Sequence, residues 1–114
     1  MEGISYEKNE IWIVWLIKAK ADVMRKLHFS EAEISGFRKN YRHYSDIRLC
    51  EINEATEQGN IDAAIGLLLE SKRLDADHRA LVREYTLRLI MLYEQQKDRE
   101  KYIEELKCYI LWFS

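Results

Sequence analysis

The segment Gln58-Gly59-Asn60-Ile61-Asp62-Ala63-Ala64-Ile65 constrains this chain most, because it reads as the end of one helix, a tight turn and the start of the next. Gly59 suits the left-handed backbone that closes a helix, Asn60 suits the capping position after it, and Asp62 sits favourably in the new first turn. A degraded copy, Gln96-Lys97-Asp98-Arg99-Glu100-Lys101-Tyr102-Ile103, follows 38 residues later, with Ile65 matching Ile103 and Leu68 matching Leu106. One structural unit used twice in succession is the signature of an α-helical repeat. The absence of proline and the presence of only four glycines fit that reading, since helix interiors exclude both residues.

The rest of the chain divides into helices on the same logic. A first helix is predicted from about Tyr6 to Leu27, stopping at His28-Phe29, and its segment Ile11–Ile17 is apolar on every side. Ser30 and Glu33 form a capping box, with Phe29 and Ile34 as the hydrophobic staple, so a second helix starts at Glu31 and ends near Asn40 to His43. A third carries Ile47, Leu49, Cys50, Ile52 and Ala55 and stops at Gly59. Helix four, capped by Asn60, aligns Ala64, Ile65, Leu68 and Leu69 and ends near Leu74. Asp77 is the expected cap of helix five, which reads Leu81, Val82, Tyr85, Leu89, Leu92 and Tyr93. Asp98 caps helix six, with Tyr102, Ile103, Leu106, Ile110 and Phe113 as its buried line. The expectation is therefore an all-α fold of about six helices in one domain over 1–114, with N-terminal helices in 1–43 and two antiparallel hairpins in 44–114.

Composition and charge exclude more than they select. At 114 residues the chain is long enough to bury about two thirds of its unfolded surface without disulfides or metals. Its two cysteines, Cys50 and Cys108, lie inside helical patterns where a free thiol packs as a small hydrophobe, which points to a reducing, cytoplasmic setting. The longest apolar run, Ile11–Ile17, is far short of the roughly 18 residues of a membrane span. Net charge is −2, with about +2 in residues 1–43 and about −4 in 44–114, a balance that does not predict nucleic-acid binding.

With these residues in view a resemblance can be stated. Glu57 to Ile65, followed by Leu67-Leu68-Leu69-Glu70-Ser71 and Leu74-Asp75, resembles the tetratricopeptide pattern, although the spacing is 38 residues where that family uses about 34. The resemblance implies a right-handed array of helical hairpins that binds peptides or protein partners in a concave groove. Phe37 to Arg48, Leu81-Val82-Arg83-Glu84-Tyr85, Leu92-Tyr93-Glu94 and Lys101 to Leu106 are similar to the helical C-terminal regions of bacterial SWIM-type zinc finger proteins. This implies a bacterial accessory helical domain, one piece of a longer protein. The zinc motif of that family is absent, so no zinc ligand carries over.

Candidate sites follow from chemistry. His28, His43, His78, Cys50 and Cys108 show no metal-ligand spacing, Asp77-His78 has no nucleophile beside it, and Cys50 lacks a flanking basic cluster, so neither a catalytic residue, a metal nor a cofactor is predicted. Arg38, Lys39 and Arg42, interleaved with Tyr41 and Tyr44, form the best nucleic-acid candidate, since cations neutralise phosphates while tyrosines stack on bases. Arg79 and Arg83, with Lys72 and Arg73, form a second basic spot whose charges are expected to pair with Glu84 or Glu70. Trp12 and Trp15 at the start, with Tyr109, Trp112 and Phe113 at the finish, put large apolar side chains on helices that should be polar caps, so they either pack on each other within the chain, form a contact between two copies, or meet a further domain. The functional expectation is a protein-interaction or assembly module without catalytic activity, binding a protein partner or a second copy through these aromatic ends. The alternative is a nucleic-acid-associated domain acting through Arg38–Tyr44.

Overall fold

Among the described residues, helical segments and their stop signals give six α-helices: α1 (Lys8–Lys26), α2 (Glu31–Lys39), α3 (Ser45–Glu57), α4 (Ile61–Leu74), α5 (Arg79–Gln96) and α6 (Arg99–Phe113). The computed structural model describes the backbone of residues 8–113 and the side chains of residues 11–113, and among these there is no strand. The chain is all-α. The expected start of the first helix near Tyr6 lies outside the described residues. No helix among those described is long and apolar enough to cross a membrane.

Three helix ends share one closure. α1, α3 and α5 each stop at a residue with positive φ: His28 at 67°, Gly59 at 78° and Lys97 at 61°. In each case the amide of the next residue bonds back across the last turn, Phe29 to Met24, Asn60 to Ala55 and Asp98 to Tyr93, at 3.0, 2.8 and 3.0 Å. The left-handed residue's own amide reaches Arg25, Thr56 or Glu94, completing a Schellman closure that satisfies carbonyls the helix leaves open. Asn60 and Asp98 then cap the following helices, accepting from the amides of Ala63 and Lys101 at 3.4 and 3.3 Å. α2 starts as expected. Ser30 accepts from the Glu33 amide at 3.1 Å while the Glu33 carboxylate accepts from the Ser30 amide at 2.9 Å.

Residue contacts group into two compact units with the boundary between Cys50 and Glu51, inside α3. In the first, α1 packs on α2. Its core joins Val14, Ile17 and Ile47, with Phe37, Tyr41 and Tyr44 packed against them. In the second unit α5 packs against both α4 and α6. Ile52, Ala64, Leu68, Tyr85, Leu89 and Tyr93 are buried there. The Tyr85 hydroxyl donates to Asp75 at 2.7 Å, satisfying a polar group that burial would otherwise make costly. Lys72 of α4 and Glu105 of α6 form a shielded ion pair at 3.0 Å. Burial pushes the Tyr93 phenol above its ordinary value of 10.0, and Glu105, Asp98 and Glu104 add to the rise, so this ring stays neutral.

Three expectations need correction. Leu69 and Ile110 are exposed. The buried stripe of α4 runs Ala64, Ile65, Leu68 and Ser71, which leaves Leu69 past its edge, and α6 has no fully buried residue. The cap of α5 is His78 and not Asp77, and its side chain makes no capping bond. The helix starts one residue later than the aspartate would require because the preceding turn bonds the His78 amide to the Asp75 carbonyl at 2.8 Å.

Candidate interaction surface

α1 has two apolar faces and uses one. Val14, Ile17 and Ala21, spaced three and four apart, turn into the core of the first unit. The opposite stripe is left open. Trp12 is 65% exposed and Trp15 58% exposed, their rings 5.9 Å apart and nearly perpendicular, the edge-to-face arrangement aromatic quadrupoles favour. Leu16, Val23 and Leu27, all exposed, continue the stripe down the helix, with the small side chain of Ala19 at its middle. The sequence reading stopped at the tryptophans. The signal for the remainder was the spacing Trp12, Leu16, Ala19, Val23, which repeats at intervals of four, three and four.

The aromatic residues of α6 divide between two environments. Tyr109 and Phe113 are half-buried, with ring centroids 5.7 Å apart. Arg79 lies 5.0 Å over the Phe113 ring, and Arg83 lies 5.8 Å over Tyr109 while donating to its hydroxyl at 3.2 Å. Arg79 also donates to the Trp112 carbonyl. The second basic spot is therefore organised differently from expectation. Arg73 pairs with Glu70 at 3.3 Å, but Glu84 pairs with Arg88 at 2.8 Å, and Arg79 and Arg83 cover the rings of α6 instead. Trp112 stands apart at 63% exposure, beside exposed Ile110 and Leu111.

The Arg38–Tyr44 segment does not present its residues together. Arg38 is only 6% exposed, whereas Lys39, one position on, faces solvent. Tyr41 and Tyr44 pack on the Val14, Ile17 and Ile47 cluster, and Arg42 donates to the Ser35 hydroxyl at 3.2 Å. The Arg48 guanidinium, also buried, donates to the Arg42 carbonyl at 2.8 Å and ties α3 to the turn before it. The alternation of cations and tyrosines thus reflects a turn whose rings serve the core.

Cys50 and Cys108 are both half-buried and are not joined in a disulfide. Among the described residues no three His, Cys, Asp or Glu side chains are grouped as a metal ion would require. A groove of about 410 Å³ runs between α3 and α5, with Asn53, Thr56, Glu84, Arg88 and Met91 on its walls; Arg88 spans it to reach the Asn53 carboxamide. No family model, no curated protein and no solved structure matches this chain.

Proposed function

We propose that this chain is a non-catalytic protein-interaction module whose docking surface is the open face of α1, carried on a tetratricopeptide-like array of helices within one domain. The observation that supports the docking surface is the continuity of exposed Trp12, Trp15, Leu16, Val23 and Leu27 along one stripe. Scattered apolar residues on a surface are ordinary, but a contiguous patch that includes two tryptophans marks an association site, because water gains by its removal and tryptophan dominates interface energetics. Two cysteines set half-buried within helices suit a reducing, cytoplasmic setting.

Burial supports the repeat. Buried Ile47, Arg48, Glu51 and Ala55 of α3 recur 38 residues later as buried Tyr85, Thr86, Leu89 and Tyr93 of α5. Buried Ala64, Ile65 and Leu68 of α4 recur at the same offset as half-buried Tyr102, Ile103 and Leu106 of α6. The Lys72–Glu105 ion pair links α4 to α6, the neighbour relation that equivalent helices have in an array of hairpins.

The test is the size of the chain in a cell extract and in pure solution, measured by sedimentation for the wild type and for Trp12→Glu/Trp15→Glu. Because both rings are exposed, the variant folds, which its helical circular dichroism verifies. The wild type is expected in a larger species in at least one setting and the variant as a monomer in both. Monomers throughout for both proteins would refute the reading.

A further inference from the structure

Resting on that reading, we infer that the occupant of the open face of α1 is α1 of a second copy, running antiparallel across a two-fold axis close to Ala19. Two observations carry this. The first is area. Trp12, Trp15, Leu16, Val23 and Leu27 together offer roughly 600 Å² of open apolar surface, about three quarters of the ~800 Å² that each partner gives to a stable interface of standard size.

The second is shape. A two-fold contact has to be self-complementary, so what stands tall on one half of the stripe must meet what lies low on the other. The N-terminal half carries Trp12, Trp15 and Leu16, the C-terminal half Val23 and Leu27, with Ala19 between them. An antiparallel pairing about an axis between Ala19 and Lys20 sets Trp12 beside Leu27 and Leu16 beside Val23 of the second copy. The small alanine allows the helix axes to approach at the crossing. A parallel pairing would stack the large rings on one another and leave the alanine and valine half under-filled.

The experiment uses pure protein. Sedimentation equilibrium of the wild type at micromolar concentration is expected to give a dimer, and Trp12→Glu/Trp15→Glu a folded monomer. Leu16→Cys and Val23→Cys chains, mixed in equal amounts and mildly oxidised, are expected to join to each other several-fold more than either joins to itself, against the background of Cys50 and Cys108 in the wild type. A pure wild-type monomer that is nevertheless larger in extract would overturn the second copy as partner while leaving the interaction module standing. A dimer in which Leu16→Cys joins to itself preferentially would overturn the antiparallel geometry. A dimer unaffected by the tryptophan changes and giving no cross-link would place the contact elsewhere, for example at Leu111 and Trp112, and overturn the inference. Monomers in pure solution and in extract would overturn both.

Discussion

At the scale of single residues, the turns at His28, Gly59 and Lys97 ask for the same backbone and receive three different side chains. A left-handed residue with a Cβ costs about 1 kcal/mol or more, a cost glycine avoids. A Cβ added at Gly59 would meet no atom within 4 Å, so its value lies in the φ of 78° and not in space. Gly59→Val is therefore expected to lower stability by about 1–2 kcal/mol in urea titration, whereas Lys97→Gly should raise it by about 1 kcal/mol. Equal midpoints for all three proteins would contradict the shared turn. Gly59 was legible because glycine before asparagine announces this geometry; Lys97 was legible only by alignment with it, and His28 only as a stop. The burial of Arg38 and Arg48 was hidden, since a sequence shows their charge but not the packed turn that encloses them.

Among the elements, helix starts were read best where the capping chemistry is reciprocal. The Ser30 and Glu33 box fixes α2 with two hydrogen bonds from side chains only three residues apart, so nothing distant can shift it. Ser30→Ala should cost about 1 kcal/mol of stability by urea titration, and an unchanged midpoint would show that the exposed box contributes nothing. α5 was read less well: Asp75, Asp77 and His78 all lie near its start, and Asp75 is held by the Tyr85 hydroxyl, a contact across 10 residues that local spacing does not reveal. α1 is the instructive case. Seven consecutive apolar residues, Ile11 to Ile17, carry no amphipathic phase of their own, and it is Ile47, Phe37, Tyr41 and Tyr44 that select Val14 and Ile17 for the core. The choice of the outward face, and so of the candidate docking surface, is made by tertiary packing.

For the whole molecule, the all-α class and the number of helices were written in the repeated turn, the missing prolines and the caps. Residues 38 apart, such as Ile47 and Tyr85 or Ala55 and Tyr93, are buried alike despite unlike side chains, which supports the repeat we propose. The proposed docking surface was half legible, as aromatic residues out of keeping with a polar cap. Its full length became visible only once the core had claimed the opposite face of α1. The central claim is that association covers Trp12 and Trp15, and acrylamide quenching of their fluorescence tests it most directly, in a Trp112→Phe chain that leaves these two tryptophans as the emitters. Quenching should be strong in dilute solution, where the rings are open, and should fall as concentration rises and the two α1 helices pair. Quenching that stays strong at every concentration, in a chain that remains folded, would contradict the pairing of two α1 helices.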